Sequence, residues 1–141
     1  MRRGERGYPP SPGHLAQLLS RMPELSDPSL PEIELVEFSP LLDSADMAPS
    51  DWSRIAAEIA ARHDMVDGVV VLHGTDTMAF TASALSFMLE GLAKPVIVTG
   101  SQVPLAEVRS DARENLIASL QLAAMPGLHE VCVYFSGRLL R

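Results

Sequence analysis

Hydrophobic positions along this chain alternate between two kinds of pattern. Short unbroken apolar runs occur at Gly68 to Leu72, Pro95 to Thr99 and Val131 to Phe135. Runs of that length, bounded by turn residues, predict buried strands. Between them, apolar residues recur at the three-to-four-residue spacing of a helix face. His14 to Met22 carries Leu15, Leu18, Leu19 and Met22 at that spacing. Asp51 to His63 does so through Trp52, Ile55, Ile59 and Ala60, with Ser50 placed as its N-cap. Asp76 to Leu92 predicts a helix whose apolar face is Phe80, Ala84, Phe87 and Met88, and Asp111 to Ala124 predicts another. Ile33 to Phe38 interleaves Ile33, Leu35 and Val36 with glutamates, which predicts a strand with one solvated side. Residues 1 to 13 are rich in Gly, Pro and Arg and read as a mobile loop, and Pro23 to Pro31 reads as a linker.

Strands alternating with helices imply parallel pairing with helices on both faces. Continuous apolar strands are what such a doubly buried sheet requires. The expected fold is therefore α/β, a doubly wound parallel sheet in a three-layer, flavodoxin-like Rossmann-type domain. In open sheets of this kind ligands bind beyond the carboxyl ends of the strands. Three small, hydroxyl-bearing turns share that rim: Ser44 to Met47, Gly74 to Thr77 and Gly100 to Gln102. The segment Val69-Val70-Val71-Leu72-His73-Gly74-Thr75-Asp76-Thr77-Met78 is the most informative of them. It runs from a buried strand through a Gly turn into a helix, whose first N–H groups and dipole favour an anionic ligand group. Asp76 can hold a cation there, and Thr75 can act as a nucleophile or bind water. Thr and Asp also cap helices for purely structural reasons, and convergence of three such turns on one rim favours a site.

Composition narrows the function classes. The 141 residues are 47% hydrophobic and 21% charged, ordinary values for a globular domain, with a formal net charge of −7. No basic patch stands out, which speaks against nucleic acid as a partner. No apolar run is long enough to span a bilayer, and the arginine-bearing N-terminus has no apolar signal-peptide core. The single cysteine, Cys132, lies in an apolar run, which fits a small core residue in a reducing, cytoplasmic compartment. His14, His63 and His129 show no metal-ligand spacing, and His73 reads as a satisfied histidine at a strand end. Asp46 and Asp111 read as helix caps, and Arg109 as a surface or interface residue.

Five motifs in order resemble the bacterial-type L-asparaginases. His73-Gly74-Thr75-Asp76-Thr77 resembles a signature of that family, and Lys94-Pro95-Val96-Ile97-Val98-Thr99-Gly100-Ser101-Gln102 the strand after it. Asp43-Ser44-Ala45-Asp46-Met47 and Arg109-Ser110-Asp111-Ala112-Arg113-Glu114-Asn115-Leu116 also fit, and Ala82-Ser83-Ala84-Leu85-Ser86-Phe87-Met88-Leu89-Glu90 points to the cytoplasmic type I branch. The resemblance implies hydrolysis of L-asparagine to L-aspartate and ammonia through a threonine nucleophile and an acyl-enzyme, without metal or cofactor. It implies that Asp76 binds the substrate α-ammonium group and Ser44 the α-carboxylate. It places Thr75, after Gly74, in a hydroxyl-lysine-aspartate set near the reacting carbonyl or water. It gives Tyr8 a supporting role beside the nucleophile, and puts the Ser101 backbone near the side-chain amide. A homodimer or homotetramer is implied for the full-length enzyme.

The departures from the pattern carry expectations of their own. The family opens on a strand ending in Thr-Gly-Gly-Thr-Ile-Gly, which supplies the nucleophile, and that strand is expected to be missing before Met1. The catalytic lysine is expected beyond Arg141, as is a C-terminal domain; Lys94, the one lysine, matches a different position. Ala45 stands where relatives carry Gln or Ser. These features lead to the expectation of an inactive N-terminal-domain fragment. The rival expectations are a non-enzymatic α/β module that binds an amino acid or a partner, and an asparaginase-like subunit of a tRNA-dependent amidotransferase.

Overall fold

A computed structural model describes residues 11–141. Helix α1 spans His14–Leu19, and helix α2 spans Pro49–Arg62. Strand β1 (Val69–Leu72), helix α3 (Met78–Met88), strand β2 (Val96–Thr99), helix α4 (Ala112–Ala123) and strand β3 (Val131–Phe135) follow in turn. A last short strand, β4, covers Arg138–Leu140. The sheet order is β1-β2-β3-β4. Val69 pairs with Val96, and Val96 with Val131, so β1, β2 and β3 are parallel as the alternating pattern requires.

Side chains of successive strand residues point to opposite faces of the sheet, and the two faces carry separate cores. Val96, Val98 and Val131, joined by Val69, Val71 and Val133, pack against Ile55 and Ile59 of α2 and Met78, Ala82 and Leu85 of α3. Ile97 and Cys132 point the other way, toward Ala123 of α4, while Leu116 and Leu120 of α4 enclose Met22. The result is the expected three-layer α/β domain. Only the central strand β2 is buried along its whole length; β1 is half-buried, and Leu72 is 40% exposed.

Several elements differ from the sequence expectation. Ile33 to Phe38 forms no strand, and Ile33, Leu35 and Val36 stay exposed. Phe38 and Leu30 still pack beside β1 residues, Phe38 in the core with Val69 and Val71 and Leu30 in the core with Val70. Phe38 thus anchors the end of the segment in the core, and no backbone hydrogen bond joins the segment to the sheet among the described residues. A strand is stabilised by its pairing partners, and alternation alone does not supply one. Helix α3 buries Met78, Thr81, Ala82 and Leu85, and leaves the expected apolar face residues Phe80, Phe87 and Met88 exposed. Its uncharged sequence is apolar on nearly every side, so periodicity cannot select the buried face. Helix α2 begins at Pro49 with Ala48 as N-cap, so Ser50 lies inside the helix; the Asp51 carboxylate accepts the Ala48 N–H. Its buried face takes Ala56, and Ala60 is exposed.

Strand β4 has no counterpart in the sequence expectation. It runs antiparallel to β3, with Phe135 opposite Arg138 and Val133 opposite Leu140. The two connecting residues, Ser136 and Gly137, both have positive φ, 51° and 73°. That is the two-residue hairpin turn whose twist suits antiparallel strands.

Among the described residues the outer edge of β1 has no partner strand. The Val69 and His73 amides donate to Pro95 and Thr99 across β2. The alternation of the ladder therefore turns the Val70 and Leu72 backbone groups outward. Unpaired edges promote association, and natural proteins block them with lysine. The chain should self-associate at micromolar concentration, and Leu72→Lys should reduce this by severalfold in light scattering. A monodisperse wild-type chain would contradict it.

Candidate active-site rim

The carboxyl ends of β1 and β2 bring three turns together. Thr99, the last residue of β2, accepts the His73 amide at 2.8 Å, so the turns leaving β1 and β2 start side by side. A Cβ on Gly100 would lie 2.2 Å from the His73 carbonyl oxygen. A Cβ on Gly74 would lie 2.2 Å from Ser44 Oγ. Both glycines are required by this closeness of approach: the 44–46 turn lies against the 74–77 turn, and the 100–102 turn starts beside the His73 carbonyl.

Ser44 is buried within a single 3₁₀ turn, Ser44–Asp46. The turn is capped by Asp43, whose carboxylate accepts the Ala45 N–H at 3.1 Å. This leaves the Ser44 side chain free to point elsewhere. Its hydroxyl donates to Asp76 Oδ2 at 3.0 Å, across 32 residues of sequence. Thr77 secures the same contact from below, its hydroxyl donating to the Ser44 carbonyl at 2.7 Å. Ser44, Gly74 and Asp76 are thus brought together, with Thr75 half-buried between Gly74 and Asp76. Asp76 is exposed and has no basic partner among the described residues. A carboxylate that accepts from one hydroxyl alone has oxygen lone pairs open to a cationic ligand group.

The 100–102 turn is held by α4. The Asp111 carboxylate accepts the Gln102 amide at 3.0 Å and the Val103 amide at 2.9 Å. The buried Asn115 side chain donates to the Gly100 carbonyl at 2.9 Å and to Asp111 Oδ2 at 3.2 Å. Asp111 therefore clasps a neighbouring turn and makes no side-chain cap to its own helix, contrary to the expectation. Desolvation raises its pKa, but the Val103, Gln102 and Asp111 amides and the Asn115 side chain together outweigh this and hold it below the usual carboxylate value. The clasp fixes the backbone on either side of Ser101, which is half-buried.

His73 closes the back of the rim. Its Nδ1 lies 2.6 Å from the Gly74 carbonyl and its Nε2 lies 2.8 Å from Thr81 Oγ1. Burial lowers its pKa, and the bond to Gly74 opposes that shift only in part. An unfolded chain therefore takes up a proton at pH values where the folded state resists it. The stability linked to His73 is present above its ordinary value of 6.5 and is lost as the pH falls below it. Asp111 adds a separate loss only below its ordinary 3.8. The urea midpoint should thus drop between pH 7.5 and pH 5.5; equal midpoints would contradict a half-buried imidazole that resists protonation.

Two expected features stand apart from the rim. Tyr8 lies outside the described residues. Lys94 precedes β2 at the opposite end of the sheet and donates to the His63 carbonyl. No described residue offers the Thr75 hydroxyl a base. Sequence reasoning assigned no individual role to Asn115, Thr77 or Thr81; Asn115 and Thr77 lie inside two of the family-like motifs, and Thr81 is marked only as a polar residue within a largely apolar helix.

An open α/β domain with its polar side chains gathered beyond the strand carboxyl ends has the doubly wound architecture, in which that rim is where ligands bind. A model of the asparaginase N-terminal domain matches residues 1–141, and the chain belongs to that family. It is 56% identical to L-asparaginase 1 of Escherichia coli strain K12 over all of its 141 residues, which span 42% of that protein. The crystal structure of L-asparaginase I from Vibrio cholerae superposes with a TM-score of 0.91 at 51% identity, covering all of this chain and 42% of that one. A glutamyl-tRNA(Gln) amidotransferase component from Methanopyrus kandleri is 43% identical over 125 residues, 86% of this chain and 26% of that protein. The chain thus spans less than half the length of these relatives.

Proposed function

We propose that this chain carries the part of an L-asparaginase that grips the amino-acid end of the substrate. The observation that supports the reading is the Ser44–Asp76 pair on the rim, with Asp76 lacking a cationic partner among the described residues. A free α-amino acid presents an ammonium and a carboxylate on one carbon. Asp76 takes the ammonium. The Ser44 hydroxyl has one proton, and the ligand's ammonium releases it from Asp76 to turn toward the ligand's carboxylate. Ala45 offers no side-chain donor there, so the α-carboxylate relies on Ser44 and on backbone amides.

The amide end of L-asparagine then lies over Thr75 and the Ser101 turn. Its hydrolysis breaks the C–N bond, adds water across it, and yields L-aspartate and ammonia. A threonine hydroxyl attacks poorly without a positioned base, and the lysine assigned to Thr75 by resemblance is not among the described residues. Tyr8 supports the nucleophile in this reading. The reaction needs no cofactor, and the full-length enzyme works as a homodimer or homotetramer in the cytoplasm. Similarity to the amidotransferase component leaves the shared chemistry of ammonia release unchanged; the Ala82 to Glu90 stretch favours the type I asparaginases.

Calorimetric titration of the 141-residue chain with L-aspartate, with D-alanine as control, tests the reading. Binding of L-aspartate alone is the expected result, with no ammonia released from L-asparagine above background. Equal binding of both ligands, or of neither, would overturn it. Ammonia release that disappears in Thr75→Val would show instead that Thr75 is activated by a group other than the one assigned.

A further inference from the structure

We propose that Thr81 is a positioning residue for this rim: its hydroxyl joins the Trp52 indole to the His73 imidazole and so fixes the Gly74 carbonyl from which Thr75 and Asp76 depart. Three elements meet at this one oxygen. Trp52 of α2 donates its indole N–H to Thr81 Oγ1 at 3.0 Å. Thr81 of α3 lies 2.8 Å from His73 Nε2, just beyond β1. His73 Nδ1 lies 2.6 Å from the Gly74 carbonyl oxygen.

The two ends of this chain of contacts set its direction. A carbonyl oxygen only accepts, so His73 carries its proton on Nδ1. Nε2 of the neutral ring is then an acceptor, and the Thr81 hydroxyl must donate to it. An indole N–H only donates, so the remaining acceptor capacity of Thr81 goes to Trp52. One arrangement of protons satisfies every partner. Met47 Sδ, 3.8 Å from the same oxygen, is a weak competing acceptor, and giving it the proton would leave Nε2 unpaired.

Packing alone does not call for this hydroxyl. Thr81 is fully buried, at a position where valine has the same shape. Its removal would take their protein partner from the part-buried Trp52 N–H and His73 Nε2, and polar groups shielded from water are disfavoured without partners. What the relay controls lies on the far side of Gly74. There Ser44 Oγ approaches so closely that a Cβ would sit at 2.2 Å, and the same oxygen donates to Asp76. A small displacement of the Gly74 peptide therefore moves Ser44 and Asp76 relative to each other. Misplacement of positioned groups by about 1 Å can lower a catalytic rate by about a hundredfold.

The consequence for ligand affinity rests on the proposed amino-acid site, whereas the relay itself is measurable without ligand. Trp52 is the only tryptophan in the chain, so its spectrum reports one end of the relay. Thr81→Val and Thr81→Ser are compared with wild type by ultraviolet resonance Raman of the indole N–H and by hydrogen exchange over residues 74–77. The indole band should keep its hydrogen-bonded position in Thr81→Ser and leave it in Thr81→Val. Exchange over 74–77 should accelerate by about tenfold in the valine variant and be restored by serine. L-Aspartate affinity should fall about tenfold in Thr81→Val and recover in Thr81→Ser.

An unmoved indole band in Thr81→Val, or exchange over 74–77 equal to wild type, would overturn the relay. A lower melting temperature with unchanged affinity and exchange would make Thr81 a packing residue only. Failure of the wild-type chain to bind L-aspartate would overturn the substrate reading and leave the spectroscopic and exchange results to judge the relay. If Thr81→Val does not fold, Trp52→Phe removes the donor end; exchange over 74–77 must then quicken, and an unchanged rate would overturn the proposal.

Discussion

Gly100→Ala should destabilise the domain by about 3 kcal/mol, the upper part of the usual range for overpacking. The added Cβ would sit 2.2 Å from the His73 carbonyl oxygen, far inside contact distance. That oxygen is backbone, at the end of β1, and cannot swing aside as a side chain would. Relief requires β1 and β2 to part where the His73 amide bonds to Thr99. At this size of domain such a loss lowers the melting temperature by roughly 10 °C. Gly127→Ala is the comparison, because nothing lies within 4 Å of a Cβ there and only its φ of +85° resists. It should cost about 1 kcal/mol. Equal melting temperatures for the two variants would contradict the close approach of the rim turns.

Asp76→Ala should weaken L-aspartate binding about thirtyfold or more. A hydrogen-bonded charge pair contributes about 2–3 kcal/mol, and each 1.4 kcal/mol is tenfold in affinity. Asp76→Asn keeps an acceptor for the Ser44 hydroxyl but removes the charge, so it should lose nearly as much. Ser44→Ala should lose less, because the charge on Asp76 remains. Gly74→Ala should behave like a Ser44 variant, since its Cβ would displace the Ser44 hydroxyl at 2.2 Å and leave Asp76 intact. Calorimetry with each variant reads this order directly. Asp76→Ala within threefold of wild type would sink the ammonium assignment. Raising the salt concentration should weaken wild-type binding more than Asp76→Asn binding, because screening acts on the charge.

Much of the site is legible in the sequence. A buried strand entering Gly-Thr-Asp-Thr marks a rim turn because a parallel strand must end in a turn before its helix. By its own pattern Ser44 is legible as one of several small turn residues, and the Asp43-Ser44-Ala45-Asp46-Met47 motif singles it out through resemblance to the asparaginases. Its hydrogen bond to Asp76 depends on two segments 32 residues apart, and no local pattern records that distance. Asp111 shows the converse. Its place before a helix reads as a cap, yet its carboxylate is taken up by the Gln102 and Val103 amides of a neighbouring turn. The relay through Thr81 is invisible in the sequence because a threonine in a helix has no characteristic spacing to a histidine eight residues earlier.

By itself the sequence determined the three parallel strands, the helices between them and the end of the sheet where the polar turns gather. Those follow from side-chain period and from the small and polar residues that break it between elements; the need for glycine at 74 and 100 comes from the neighbouring segments that approach them. Tertiary structure decided what depends on partners. Ile33 to Phe38 has strand alternation but no ladder to join, so it remains unpaired among the described residues. Helix α3 is apolar on nearly every side, and contact with β2 and β3 chose Met78, Ala82 and Leu85 over Phe80 and Phe87. Strand β4 exists because Ser136 and Gly137 both take positive φ, which lets the chain reverse onto β3. Periodicity is a property of one segment, whereas pairing, the choice of buried face and the meeting of Ser44 with Asp76 are properties of two.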